Sequence, residues 1–388
     1  MIARVRLSLR NALCALSLVA LGCASGAEDG DEAPVAASIA HPLSGLDVRQ
    51  MARFQRGTQE FLEVETAAEG LGPLFNGASC SQCHSAGGLG GGGVLRVMRA
   101  VCQEADGSTS EPKGGSLIHL FSTRPDIASA EPPNYCTPLI SQRRSTPLFG
   151  AGLLEAIADD TLQALADSQP AYLRGRVAWI DEPSSKQRRA GRFGWKAQHA
   201  TLRAFAADAY RNELGITNEL FPDEAAPHGD KTLLAAMDAV PDPEARVGAI
   251  DALSDFMRFL APIAPSTTSV DGAKSFAAIG CATCHVPTLR AEKTPEFPEQ
   301  QAQVYSDLLL HDIGTGDGVE QGAAKGDEFR TAPLWGLRHA PVFLHDGRAN
   351  SVELAILAHD KQASVARAAF ESLSETEQKA LVEFLHTL

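Results

Sequence analysis

The chain has 388 residues, with 34 Lys+Arg, 48 Asp+Glu, 8 Cys and 34 Gly, a formal net charge of −14 and 44% hydrophobic content. That length suits two or three domains, and the hydrophobic fraction is enough for packed cores, which excludes global disorder. The acidic balance excludes a phosphate-neutralising nucleic-acid binder, and the cysteines are too sparse for a small disulfide scaffold.

The N-terminus reads as an address. Arg4, Arg6 and Arg10 precede an apolar stretch, Ala12 to Leu21, too short for a permanent membrane helix. Residues 1–22 are therefore expected to be a signal peptide directing export to the periplasm. Ala20-Leu21-Gly22-Cys23 resembles a lipoprotein cleavage box, so a membrane tether through a lipidated Cys23 is expected, with ordinary cleavage near Ala24 to Ala27 as the alternative. Residues 23–45 are small, acidic and Pro/Gly-bearing, and read as a flexible linker.

Two C-x-x-C-H units follow, Cys80-Ser81-Gln82-Cys83-His84 and Cys281-Ala282-Thr283-Cys284-His285. This is the attachment pattern of c-type haem: two thiols add to the haem vinyl groups and the adjacent histidine reaches the iron. A zinc site needs a second Cys pair nearby, and a thioredoxin-like pair needs flanking strands; neither is seen. Phe75 and Phe276 each precede a motif by five residues, which suggests an internal repeat with a short helix leading into each haem. Cys102 and Cys136 are most simply a disulfide, with two buried free thiols as the alternative. The run Gly87 to Gly93 is a mobile or closely packed loop, since it lacks the strand and the Lys-Ser/Thr of a phosphate cradle.

Helix signals dominate the rest. Residues 244–261 place Val247, Ile250, Leu253, Met257 and Leu260 on one face, and Pro262 ends the run. A Pro/Ser/Thr linker follows. Ser374 to Glu377 is a capping box that opens a final helix. The expected fold is mainly α: two tandem cytochrome c-like domains, 46–262 and 263–388, the first enlarged by insertions. Downstream of the second motif stand His311, His339, His345, His359 and His386 but no Met, so bis-histidine ligation is the natural expectation there. Above the first haem, Met98, His119 and His199 are the candidate ligands and none sits in a ligand phrase.

The stretches LFNGASCSQCH (74–84), STPLFGAGLLEAI (145–157), GRFGWKAQHATLRAFAADAYRNELGIT (191–217), DLLLHDIGTGD (307–317) and APLWGLRHAPVFLHDGRANSVELAILAH (332–359) resemble the di-haem oxidoreductase family, related to bacterial di-haem cytochrome c peroxidases. The resemblance covers most of the chain from about residue 46. It implies two haems of unequal role, one open and reactive, one six-coordinate and electron-relaying, and a possible calcium ion between the domains. It places the sixth ligand of the second haem at His359, opposite His285, and leaves His84 to the first. It implies a catalytic carboxylate at Glu213, with Glu155 as the second candidate. Phe205 stands where the peroxidase branch has Gln. Beside that implication, Trp195 is a candidate electron relay whose N–H could bind a propionate, Trp335 could pack beside the second haem, and Arg348 could pair with a propionate. His311 and His345 are expected to hydrogen-bond a propionate or a loop.

The function expected is a peroxidase-like oxidoreductase. An electron-donor protein or small redox carrier would serve the second haem, and peroxide or another oxidant would react at the first. An acidic surface favours a basic donor. The rivals are a pure electron carrier with both irons six-coordinate and an oxidase of a protein or small-molecule substrate.

Overall fold

In the computed structural model, each half of the chain is organised around one helix crossing, and a glycine sits at each. In the first half, helix α1 (Val48–Leu62) is started by Asp47, whose carboxylate accepts from the backbone N–H of Arg49 and Gln50, while Gln50 returns a bond to the Asp47 N–H. It crosses a helix at Ala249–Phe259. A Cβ on Gly57 would lie 2.3 Å from the Ala252 carbonyl oxygen, so only glycine lets the backbones approach this closely. In the second half, the helix at Val270–Ala278 crosses the last helix, Glu375–Leu385, and a Cβ on Gly272 would lie 2.1 Å from the Ala380 carbonyl oxygen. The Ser374–Glu377 capping box forms as expected. The structure describes residues 41–128, 132–266 and 269–388, so the signal peptide, Cys23 and most of the linker lie outside them.

The halves are otherwise unalike. The first carries a β-ribbon: β1 (Arg96–Gln103) pairs along its whole length with β2 (Thr137–Arg144), antiparallel, with Val97 opposite Arg143 and Arg99 opposite Ser141. The far edge of β1 pairs with two short strands, Thr109–Ser110 and Leu117–Ile118. A disulfide joins Cys102 to Cys136 where the ribbon starts, Cα atoms 5.6 Å apart. With further two-stranded pairs at 74–75/121–122, 179–181/188–190, 289–291/300–302 and 310–311/329–330, the chain is less helical than its periodicity suggests. These strands are two to three residues long, below the length at which alternation stands out in a sequence.

Two local expectations change. Phe75 lies on a strand against Phe121 and not on a helix, so the sequence repeat around the two motifs is not a structural one; Phe276 does lie on the helix at Val270–Ala278. The helix expected over 244–261 starts only at Ala249, after Gly248 in a left-handed conformation, which leaves Val247 outside it and fully exposed.

The described residues form one compact unit with two main cores. The larger gathers Phe54, Phe61, Leu153, Leu202, Tyr210, Phe256 and Phe259, and takes in Leu289, Ala291, Ala302, Val304 and Leu308 from beyond the second motif. The smaller is built from Phe276, Phe343, Val352, Phe370, Leu381, Phe384 and Leu388. Side chains that follow the second motif thus complete the first core.

Candidate functional site

Both C-x-x-C-H units form one tight turn. The backbone N–H of His84 donates to the Cys80 carbonyl at 3.1 Å, and that of His285 to the Cys281 carbonyl at 2.9 Å. The turn brings both thiols and the imidazole to one side, and each set lines its own cavity. Cys80, Cys83 and His84 line a cavity of about 170 Å3; Cys281, Cys284 and His285 line another of about 260 Å3.

The donor set fits haem. His84 Nδ1 faces the Gly91 carbonyl at 3.2 Å, and His285 Nδ1 faces the Tyr305 carbonyl at 2.9 Å. A carbonyl only accepts, so Nδ1 carries the proton in each ring and Nε2 keeps its lone pair for a metal. His359 repeats the arrangement, its Nδ1 bonded to the Ala355 carbonyl at 2.7 Å, and it lines the same cavity as His285. Burial pushes all three imidazoles below their usual range, His84 and His285 to about 4, which keeps them neutral. His359 is positioned by the helix Val352–Leu357, which Ser351 caps through the Leu354 N–H. The glycine run 87–93 is the closely packed alternative: it folds back so that Ala86 pairs with Gly92 and Gly91 meets His84.

The first cavity is different. Among the described residues His84 is its only histidine. Met98 is on the wrong face of β1, since Val97 and Arg99 are the residues that line the cavity and alternate residues point the other way. His119 Nε2 donates to the Asn212 carbonyl at 3.0 Å, and His199 sits 3.1 Å from Asp208; neither lines the cavity. One face of helix α2 (Leu202–Glu213) does, through Phe205, Asp208, Ala209, Asn212 and Glu213, spaced at three and four residues. Glu213 is therefore in place. Its Oε2 accepts from Asn76 Nδ2 at 3.1 Å, and Asn76 is held by the Leu120 N–H on its own Oδ1. Burial raises the Glu213 carboxyl above its usual range, while Arg99 and Asn76 pull it back. Residues not anticipated from sequence are Arg99, Asp208 and Met257, all of which line this cavity.

Glu155 is not in either cavity. Its Oε1 accepts from the Leu202 N–H at 2.7 Å, and its Oε2 faces Arg258 Nε at 3.1 Å, so it caps α2 and anchors it to the helix Ala249–Phe259. Arg348 is half exposed, pairs with Asp346 and lines neither cavity. The cations that do line them are Arg330 and Arg367 for the second, Arg99 and Arg143 for the first, and Arg144 for both. His345 lines the second cavity and stacks on Phe329 with ring centroids 4.0 Å apart. His311 also lines it, with Nε2 2.9 Å from Asp307 Oδ2 and Nδ1 3.9 Å from Cys284 Sγ. Burial pulls the His311 imidazole down, but Asp307 and Cys284 lift it to about 10, so it pairs with a carboxylate of the protein itself. Trp335 lines the second cavity.

Trp195 lines both cavities, as do Arg144, Thr146, Leu148, Gly194 and Phe205. These residues are the wall between them. The indole N–H is already spent: it donates to the Arg144 carbonyl at 2.7 Å, which leaves it nothing for a propionate. The implied calcium finds no carboxylate cluster in this wall. The two groups of three potential metal-binding side chains among the described residues are Cys284, Asp307 and His311, where Cys284 belongs to the motif, and Glu224, Asp238 and Asp242, none of which lines either cavity.

Residues 137–388 match the family model described as "di-haem oxidoreductase, putative peroxidase". No curated protein matches the chain. Solved structures it is similar to include a hydrazine synthase of Kuenenia stuttgartiensis (14% identity, 97% of this chain and 100% of that chain, TM-score 0.43). A MauG-like protein associated with microbial copper homeostasis shares 16% identity over 87% of this chain and 89% of its own, TM-score 0.42. The diheme peroxidase BthA of Burkholderia thailandensis shares 13% over 72% and 92%, TM-score 0.33. The family match takes in the second haem motif, His359, Glu213 and the wall between the cavities, and the chain belongs to the di-haem oxidoreductase family.

Proposed function

We propose that the protein is an exported di-haem c-type oxidoreductase that reduces peroxide or a related oxidant at its N-terminal haem, with electrons entering at the C-terminal haem. The observation that carries this is the asymmetry of the cavities: His285 and His359 share one, each with Nε2 free, whereas the other has His84 and the buried carboxyl of Glu213.

When bound, the haem irons supply electron exchange and, on the first, a coordination position for the oxidant. Cys80 and Cys83, and Cys281 and Cys284, would hold the two groups through thioether bonds. His285 and His359 would hold the second iron, and His84 would hold the first. Reducing one peroxide to two waters consumes two electrons and two protons. Glu213 handles the proton: Asn76 occupies Oε2, so Oε1 is the atom that takes a proton from one peroxide oxygen and returns it to the other. Burial supports this by raising the carboxyl toward neutral pH. Trp195, in the wall common to both cavities, is the residue through which electrons pass. Arg4 to Cys23 carry the export and tether proposal, and the acidic chain suits a basic electron donor.

Met257 supports a second reading. Its thioether lines the first cavity and could close the first iron, making the protein an electron carrier. Low-temperature electron paramagnetic resonance of the oxidised protein separates the two. One high-spin and one low-spin signal are expected. Two low-spin signals that persist after half-reduction would establish the carrier instead.

A further inference from the structure

The wall between the cavities contains one cation, and that cation lacks an anion. Arg144 ends β2 and is 8% exposed. Its backbone is fixed on both sides: its N–H donates to the His345 carbonyl at 2.8 Å, and its carbonyl accepts the Trp195 indole N–H. Of its guanidinium nitrogens, Nε donates to the Leu344 carbonyl at 2.8 Å, while Nη1 is sealed from solvent and has no acceptor. Among the described residues no carboxylate comes within ion-pair distance; Asp346 acts on it only from farther away. The guanidinium carbon stands 5.4 Å from the centre of the Trp195 ring, a cation–π contact that does not replace an anion for a buried cation.

The neighbouring cations are differently placed. Arg143 lines only the first cavity and is bound to Asp317 through Nε at 2.7 Å. Arg330 lines only the second and is bound to the carbonyls of Gly194 and Thr331. Arg99 lines the first and donates to Ser116 Oγ. Only Arg144 faces both cavities with a free, buried donor edge.

Haem is the molecule that brings carboxylates into such cavities, two on each macrocycle. We infer that Arg144 is the common anchor for the carboxylates of both haems, and that its charge sets the reduction potentials of both together. The inference rests on the di-haem reading above. A guanidinium fork matches a carboxylate edge, and its remaining donors are enough for one oxygen from each side. Because the same guanidinium lies over the Trp195 ring, the positive charge sits on the electron path, where it favours the reduced state of either iron.

The test is a reductive titration of the full-length holoprotein, followed optically and by electron paramagnetic resonance, in wild type, Arg144→Gln and Arg144→Lys. A haemochrome assay comes first: fewer than two haems per wild-type chain would remove the di-haem reading itself, whatever Arg144 does. With two haems, Arg144→Gln is expected to lower both potentials, raising the ferric-to-ferrous ratio at a fixed applied potential about tenfold or more at each haem, from the loss of one nearby charge in a low-dielectric wall. Arg144→Lys keeps the charge and should recover most of that shift at both. Arg348→Gln, on an exposed side chain outside both cavities, should move neither. If Arg144→Gln fails to retain haem, the propionate bending bands in the resonance Raman spectrum of Arg144→Lys supply the readout, and they should shift for both haems. A change confined to one haem, or to none, in either measurement overturns the shared anchor.

Discussion

The two cavities start from the same five-residue motif and end with opposite chemistry. The second is lined by His285, His311, His345 and His359, of which two present a free Nε2 and two are occupied by stacking or by a carboxylate. The first has His84, a methionine and the polar side chains of Arg99, Asp208, Asn212 and Glu213. The difference comes from what covers each motif. The second is covered by a short helix that delivers His359, the first by α2 and the β-ribbon, which deliver charges. A C-x-x-C-H motif therefore fixes where two thiols and one imidazole stand, and the elements packed over it decide which other side chains share their cavity.

Removing the second imidazole should erase that contrast. In His359→Ala the second iron loses its sixth ligand, and its low-spin signal should convert completely to high-spin while the first haem's signal is unchanged. A low-spin signal that survives would mean that another cavity histidine, His345 or His311, is the ligand.

The second break falls on the other side. Glu213→Gln removes the proton carrier and keeps the shape, so peroxide turnover should drop by roughly 10²–10⁴-fold, the usual contribution of a positioned acid–base group. Spin states of both haems should stay as they were. Glu155→Gln is the comparator: it keeps an acceptor for the Leu202 N–H but removes the ion pair with Arg258, and should leave turnover per folded molecule near the wild-type value. Equal losses in both variants would show that Glu213, too, acts only through the position of α2.

How much of this was legible in the sequence follows from the range of the interactions. Cys80, Cys83, His84 and their counterparts are a local motif and read directly. Glu213 and His359 stand in phrases that resemble the family's; Glu213 lines the cavity of the first motif and His359 that of the second. Arg144 and Arg99 gave no signal, because they reach the site through a strand pairing that joins residues about forty apart. The same long-range placement misassigned the anions' partner to Arg348, whose local HDGR phrase looks like a site but pairs with its own neighbour Asp346. The Trp195 N–H, which the sequence leaves free for a propionate, has as its acceptor a carbonyl 51 residues earlier in the chain. A mainly α expectation likewise overlooked short strands whose existence depends on distant partners.

The wall that keeps the cavities distinct is expected to depend on the β-ribbon. The Cys102–Cys136 disulfide closes a separation of 34 residues at its base, so replacing both cysteines by Ala should cost roughly 3–4 kcal/mol in thermal or denaturant unfolding. The haem count per folded chain should not change, since neither cysteine lines a cavity. A loss of the first haem alone would show that the ribbon is part of the binding site and not only its support.

The smallest effect belongs to a charge network that sits next to the wall. Asp317 accepts from Ser141 Oγ and Arg143 Nε, both at 2.7 Å, and lies 3.3 Å from Lys196 Nζ. Lys196 in turn sits 4.0 Å from the centre of the Phe329 ring, which stacks on His345. This chain of contacts runs from the strand beside the first cavity to the histidine of the second. Burial pushes the Asp317 carboxyl up, but Arg143 and Lys196 outweigh it and hold the group at about 2, below its ordinary 3.8. A carboxyl depressed in the folded state contributes stability above its unfolded pKa and loses it as pH falls through the folded one. The contribution is therefore complete above about pH 4–5 and worth about 2 kcal/mol there. It should disappear between pH 4 and 2. Asp317→Asn has no such titration, so its stability deficit relative to wild type should shrink by about that amount across the same interval. A deficit that is constant from pH 5 to 2 would mean that Asp317 acts by packing and hydrogen bonding alone, and that the charge on Arg143 and Lys196 is balanced by other groups.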